Sequence, residues 1–411
     1  MKKFKVVTLG CRTNQYESQG YSDQLKKMGC RVAAENEEAD LCIVNTCTVT
    51  EGADRSSRHE IRSLLRQNPK AKIVVSGCMT ESAPDVLHQL GDRIQVIPNA
   101  EKEKLVDQVF PNRENYPEFN IETFDAHTRA FVKVQDGCNS FCTYCIIPYV
   151  RGRSRSRPIS DVVKEVEGLV VNGYREVVIT GINVGDFDNG GTLADLIRAV
   201  DNVKGLQRLR ISSIDPDEID EDLADAVLNG KTTCPSMHIV LQAGSNVVLK
   251  RMNRKYTKQI FIDTVERMVK KNPDFTVTTD IIVGFPGESE ADFEETLDLV
   301  KKVQFAKVHM FPYSVRKRTR AALYPNKTQP DVLNTRKQKL LRLAERCAFD
   351  LRGKFVGRKM KVLIESETKD GYISGHTSNF LRVWIPQKSL KPNDLVEVDL
   401  IRNEPDGLIA R

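Results

Sequence analysis

Three cysteines within eight residues, Cys138-Asn139-Ser140-Phe141-Cys142-Thr143-Tyr144-Cys145, constrain this chain more than any other stretch. With no fourth cysteine and no histidine close by, a C-x3-C-x2-C run offers three thiolates. That set suits an iron-sulfur cube held at three corners and open at the fourth. An open metal position is where chemistry takes place, as at a catalytic zinc with three protein ligands. A structural zinc site needs four ligands, and a redox pair made of Cys142 and Cys145 leaves Cys138 unexplained. The loop must sit on a rigid scaffold, and the pattern around it supplies one. Six strand-like runs alternate with helical patterns: Ala130 to Val134, Glu176 to Thr180, Arg208 to Ser213, His238 to Leu241, Thr276 to Val283 and Ala306 to Phe311. Six β/α repeats predict a partial barrel of the TIM kind, with functional loops after the strands. The triplet follows the first of them, on the face where function gathers.

Residues 1 to about 110 show the same alternation, with strands expected at Phe4 to Leu9, Leu41 to Asn45, Ile73 to Ser76 and Ile94 to Ile97. This is the pattern of a parallel α/β sheet, whose ligands sit beyond the carboxyl ends of the strands. Cys11, Cys47 and Cys78 fall there, scattered in sequence and expected to converge in space. One such cysteine alone would be a buried small hydrophobe. Three after three strands point to a shared site, again with one iron corner free. Cys30, Cys42, Cys234 and Cys347 lack such a context and read as structural. Residues from about 111 to 127, with two prolines, several acids and weak periodicity, read as a linker.

On the barrel's functional face, Thr180-Gly181 follows the second strand, Ser212 ends the third, Gln242 follows the fourth and Gly284 the fifth. Glycines permit close approach of a ligand to the backbone, and Ser or Gln offer neutral hydrogen-bond groups to a ribose or amino-acid moiety. Two basic stretches flank this face: Arg151, Arg153 and Arg155 in one, Arg316 and Arg318 in the other. Arginines spaced by Gly and Ser can follow a phosphate backbone, although an isolated run is usually a solvated loop. A helical pattern from Gln329 to Arg352 leads to five short strand runs between Lys359 and Ile409, the signature of a small OB-like barrel. Its aromatics Tyr372, Phe380 and Trp384 are of the kind that stack on bases, with at least one expected in the core.

Composition restricts the setting. The chain of 411 residues is 40% hydrophobic and 29% charged, which suits a multidomain soluble protein. No apolar run approaches the ~18 residues of a membrane span. The basic start at Met1-Lys2-Lys3 is followed by too short an apolar stretch for a secretory leader. Ten cysteines without such a leader predict a reducing, cytoplasmic compartment. A net charge of +6 is compatible with an anionic partner without demanding one.

Several wordings add to this. Leu9-Gly10-Cys11-Arg12-Thr13-Asn14-Gln15-Tyr16-Glu17, Asn45-Thr46-Cys47-Thr48-Val49-Thr50, Gly77-Cys78, the cysteine triplet ending in Tyr144-Cys145, Gly284 to Glu288, and Gly375-His376-Thr377-Ser378-Asn379-Phe380 together resemble the radical S-adenosylmethionine (SAM) methylthiotransferase family. The resemblance implies an α/β multidomain protein: an N-terminal methylthiotransferase domain over 1–115, a partial (β/α)6 radical SAM barrel over 124–353, and a small all-β TRAM barrel over 355–411. It is strongest to the branch acting on threonylcarbamoyladenosine in tRNA, next to the anticodon. Siblings act on isopentenyladenosine in tRNA or on a ribosomal-protein aspartate and usually carry other residues around the first cysteine. Arg318 and Ala243 depart from that branch, which commonly has Gly and Ser there.

The resemblance further implies two SAM molecules and two [4Fe-4S] clusters, a radical one on Cys138, Cys142 and Cys145 and an auxiliary one on Cys11, Cys47 and Cys78. Tyr144, Thr180, Gly181, Ser212, Gln242 and Gly284 would form the SAM pocket, and Arg151, Arg153, Arg155, Arg316, Arg318 and Phe380 would touch RNA. One cluster would pass an electron to SAM and the other would hold or supply sulfur, leaving no side chain as general acid or base. The expected partners are the tRNA anticodon arm and a reducing donor such as flavodoxin, with neither membrane nor DNA. Readings from other classes are an RNA-binding module with structural zinc and a redox protein using Cys142 and Cys145.

Overall fold

The computed structural model describes residues 2–124, 127–387 and 389–411. The first unit is a parallel sheet of β1 (Lys3–Thr8), β2 (Arg31–Val32), β3 (Leu41–Thr46), β4 (Lys72–Gly77) and β5 (Ile94–Val96), in the order β2-β1-β3-β4-β5. Its middle strands are covered on both faces, which is why Ile43, Val44, Val74 and Val75 run without polar alternation. Helix α1 (Arg12–Lys27) leaves β1 directly through Cys11, and α2 (Glu51–Gln67) leaves the loop after β3, capped by Thr50, whose hydroxyl accepts from Ala53 N–H. Adjacent registers pair Thr8 with Asn45 and Thr46 with Gly77, so the loops carrying Cys11, Cys47 and Cys78 emerge side by side.

In the second unit β6 (Ala130–Lys133) leads to a short antiparallel pair at the mouth, β7 (Gln135–Asp136) with β8 (Arg155–Ser156). The parallel series continues with β9 (Glu176–Thr180), β10 (Arg208–Ile214), β11 (Thr233–Ile239), β12 (Thr276–Val283) and β13 (Lys307–Pro312), in the order β13-β12-β11-β10-β9-β6. The sheet is curved and open between β6 and β13. All six expected strands are present. The fourth begins five residues before the expected His238, because Pro235 sits in a central strand where a ladder donor is required. There the pairing of β10 and β11 slips, from Leu209 opposite Thr233 to Ile211 opposite Met237, a bulge that accommodates the proline.

The segment expected as a linker is instead a strap on the first helix. Phe119 packs against the rings of Tyr16 and Tyr21, and Pro117 C=O accepts from Gln24 Nε2 at 2.7 Å. Asp125 and Ala126, at its end, lie outside the described residues.

The helix Pro330–Gly353, opened by its proline, leads into a closed barrel of β14 (Lys359–Lys369), β15 (Tyr372–Thr377), β16 (Arg382–Pro386), β17 (Leu395–Glu404) and β18 (Gly407–Ala410). This barrel seats against the strand starts of the larger one, opposite the cysteine mouth. Arg208 donates to the carbonyls of His376 and Lys361, and Arg210 to those of Ser378 and Thr377. Glu176, buried on β9, holds both guanidinia in place. Among the described residues, no helix is long and apolar enough to cross a membrane.

Candidate active site between two cysteine loops

The first trio is placed by backbone geometry. Gly10 has φ +94°, and a Cβ there would stand 2.8 Å from Cys47 Sγ; Gly77 has φ +90°, and a Cβ there would strike Thr46 O at 2.4 Å. Each Gly-Cys step therefore brings a thiol into a turn that a side chain would close. Asn14 ties the loops together, donating to Leu9 O and Thr46 O at 2.7 and 3.0 Å, while Cys47 N–H donates to Ser57 Oγ at 3.3 Å. The conspicuous polar run after Cys11 is thus a frame for the cysteine loops.

Arg151 joins this frame to the barrel. Its side chain is wholly buried and donates to Cys78 Sγ at 3.4 Å, to Asp136 Oδ1 at 2.7 Å and to Glu17 Oε1 at 3.1 Å, and also to Asn14 Oδ1. Burial pushes the Glu17 carboxyl up, but Arg151, then Lys102 and Lys133, outweigh it and hold it at about 2. The expectation that Arg151 touches RNA is therefore corrected: its charge is consumed by two buried carboxylates.

The second trio lies on the loop between β7 and β8. Thr143 anchors it, its N–H donating to Met252 O at 3.0 Å and its hydroxyl to Arg251 O at 2.8 Å. Arg254 donates to Cys142 Sγ at 2.9 Å and is held by Asp215. Burial, then the neighbouring Cys142, pushes the Cys145 thiol up to about 12; burial likewise takes Cys47 to about 12 and raises Cys78 and Cys138. Cys47, Cys78 and Cys142 are buried, Cys138 and Cys145 partly so and Cys11 exposed; such thiols ionise when cationic metal replaces the protons, which is the donor chemistry an iron-sulfur cluster requires. Among the described residues no three His, Cys, Asp or Glu side chains stand close enough to hold a metal ion as placed, and this includes both cysteine trios.

Beside Cys145, between its loop and the residues that follow Cys47, lies a cavity of about 310 Å³. Val49 and Thr50, just after Cys47, form one wall; Tyr144, Cys145 and Gln242 form another, with Asp280 and Ile282 from β12 and Phe311 to Ser314 from the end of β13. Gln242 has φ +64° and a buried Oε1 without a partner, an acceptor turned toward ligand space. Thr180 donates to Ser212 Oγ at 3.4 Å, deeper along the strand ends, and Gly181 is closed in by Gln135. Gly284 is not a wall of this cavity: its N–H donates to Glu288 at 2.8 Å, and its α-carbon faces Leu333 of the long helix.

The remaining basic residues divide. Arg153 and Arg155 are exposed, Arg153 over the Phe141 ring at 4.4 Å, and exposed Arg318 lies over Tyr149 at 5.2 Å. Arg316 is committed to Thr48 O and Asp54, buttressing the Cys47 loop. Phe380 sits at the opposite end of the barrel, stacked on His376 and flanked by Arg129 and Arg210, so its ring is occupied by protein. Trp384 is core, Tyr372 partly exposed. Two features escaped sequence reading. Arg55, Arg58, His59, Arg62 and Arg66 form a basic stripe along α2, legible as cations at helical spacing. Arg12 reaches away from its cysteine neighbour over the Phe131 ring at 5.4 Å.

Residues 132–300 match the model of the Radical SAM superfamily, and residues 3–98 that of the Uncharacterized protein family UPF0004. The threonylcarbamoyladenosine tRNA methylthiotransferase MtaB of Chlamydia pneumoniae is 49% identical to this chain, over 99% of it and 97% of the relative. The chain belongs to the radical SAM methylthiotransferase family. The Thermotoga maritima MtaB is 36% identical over 93% of this chain and 91% of the relative. A tRNA-2-methylthio-N(6)-dimethylallyladenosine synthase of Fusobacterium nucleatum is 35% identical over 92% of each. Among solved structures, the radical SAM methyltransferase TsrM of Kitasatospora setae shares the fold, with TM-score 0.57 and 14% identity over 91% of this chain and 80% of that one. Membership in this methylthiotransferase family makes the protein an enzyme, and the superfamily carries with it SAM and a [4Fe-4S] cluster.

Proposed function

We propose that this methylthiotransferase converts threonylcarbamoyladenosine beside the tRNA anticodon to its 2-methylthio derivative, using two SAM molecules and two [4Fe-4S] clusters. The observation that carries it is a cavity lined by Val49 and Thr50, just after Cys47, on one side and by Tyr144 and Cys145 on the other. Cys138, Cys142 and Cys145 would hold the radical cluster, and Cys11, Cys47 and Cys78 the auxiliary one. Bound there, the cofactors would supply the electron, the hydrogen abstraction and the methylated sulfur that an unreactive adenine C–H bond demands. The protein's own share is positioning. Tyr144 and Gln242 line the space beside Cys145, while Phe311 and Tyr313 offer aromatic surface to a base turned out of its stack. The names of the relatives support the substrate. The experiment is nucleoside analysis of tRNA from cells lacking this protein: the methylthio derivative should vanish and threonylcarbamoyladenosine accumulate. Loss of the isopentenyladenosine derivative, or of methylthiolation on a ribosomal-protein aspartate, would reassign the branch.

RNA reaching this cavity from solvent meets two basic surfaces. One is the rim of Arg153, Phe141, Tyr149 and Arg318, where cations alternate with aromatic rings. The other is α2, whose capping residue Thr50 lines the cavity and whose arginines run from Arg55 to Arg66, about 16 Å at helical rise. Replacing Arg55, Arg58, Arg62 and Arg66 together by alanine should weaken tRNA binding about 10- to 100-fold and lower the salt slope of log K by about 2 to 3. Affinity measured between low and moderate salt checks this; an unchanged slope would remove α2 from the RNA path.

A further inference from the structure

Arg12 opens α1 beside Cys11, yet its side chain does not serve the cysteine frame. It lines a narrow cavity within the larger barrel together with Arg129, Arg210, Ser236, His238 and Thr278. Arg129 and Arg210 are both paired with Glu176. Arg12 is exposed and makes no ion pair among the described residues, although the Asp280 and Glu176 carboxylates act on it from further off. Unlike the arginines on α2, its guanidinium lies over an aromatic ring, that of Phe131.

This inner space, about 30 Å³ and bounded at its far end by Phe380, shares strand β12 with the cavity beside Cys145. Thr278 lines the inner cavity, and Asp280 and Ile282 line the outer. Residues two apart on one strand share a face, so β12 steps from one cavity to the other by about 7 Å. A base held beside Cys145 with C2 toward the cofactors would direct its N6 substituent along β12 toward Arg12 at the edge of the inner space. The substituent of threonylcarbamoyladenosine carries a carboxylate, a hydroxyl and a carbamoyl group. Waiting there are an unpaired guanidinium and the hydroxyls of Ser236 and Thr278. Guanidinium is the side chain whose planar fork matches a carboxylate bidentately.

We propose that Arg12 binds the carboxylate of the substrate's N6 side chain and so selects an acidic substituent over an apolar one. The proposal rests on the threonylcarbamoyladenosine reading above. It is tested on the full chain with three synthetic anticodon stem-loops: one carrying threonylcarbamoyladenosine, one with that carboxylate converted to a primary amide, and one carrying dimethylallyladenosine. The protein should prefer the acid over the amide by about 100-fold in kcat/KM, and in Kd measured by fluorescence anisotropy, which needs no loaded cluster. Arg12→Gln should reduce the acid to the level of the amide and leave the amide unchanged. Arg12→Lys, which keeps the charge and loses the fork, should recover about 10-fold. Should Arg12→Gln disturb Cys11, iron content reports it and the acid-to-amide ratio of Kd still decides. A ratio in Arg12→Gln equal to that of the unaltered protein overturns the role of Arg12 while sparing the substrate reading. Methylthiolation of the dimethylallyl stem-loop alone overturns the substrate reading, and the proposal with it.

Discussion

Cys142→Ala should abolish reductive cleavage of SAM, whereas Cys47→Ala should leave 5'-deoxyadenosine formation in place and abolish the methylthiolated nucleoside. The difference follows from where the thiols stand. Cys142 shares its loop with Tyr144 and Cys145 on one wall of the cavity, and Arg254 is already donated to its sulfur. Cys47 belongs to the other wall, on a loop bonded to Ser57 and packed against Gly10. Fully loaded protein should carry about eight irons and each variant about four. Chromatography of SAM products and nucleosides, with iron content alongside, reads all three quantities. Equal loss of both products in Cys47→Ala would mean that the trios do not act as separate centres.

Arg151→Ala should destabilise the folded chain by about 3 to 5 kcal/mol, because it leaves Glu17 and Asp136 buried with too little positive charge. Lys102 remains against both, which sets the effect below complete loss of compensation. Exposed Arg155→Ala, four residues away, should change stability by less than about 0.5 kcal/mol. Denaturant midpoints separate the two. The pH dependence has a definite sign. The Glu17 carboxyl is held at about 2, below its usual 4.5, so its pairing stabilises the fold above pH 4.5 and is lost as pH falls toward 2. If Arg151→Ala proved as stable as the unaltered chain, the buried bridge between the sheet and the barrel would carry no net stabilisation.

Much of this architecture was legible because it repeats a simple rule: β-branched run, turn, helix. The six barrel strands and the sheet strands carrying Cys11, Cys47 and Cys78 followed from that rhythm alone. The rule failed at Pro235, which hides the first part of a central strand, and at Phe119, whose burial depends on two tyrosines far away in sequence. Site residues divided along the same line. A cysteine at a strand end announces its place, since backbone direction sets it. An arginine does not, because its long side chain can turn inward or outward: Arg151 and Arg153 are two apart, yet one is wholly buried and the other exposed. Arg318 departs from the glycine common in its branch and adopts φ +72°, the conformation that favours glycine, so the position is demanding in backbone terms even where the side chain differs.

The clasp between the two barrels includes side-chain pairs such as Arg129 with Glu365 and Arg358 with Asp274, but its centre grips peptide oxygens. Arg208 and Arg210 reach for the main chain of Lys361, His376, Thr377 and Ser378, and main-chain carbonyls are the same whatever amino acid bears them. The outer surface of the C-terminal domain is thereby released from the task of staying attached. Its exposed residues are free to diverge between lineages, or to be exchanged by design, while the module remains docked on the same floor at the same angle.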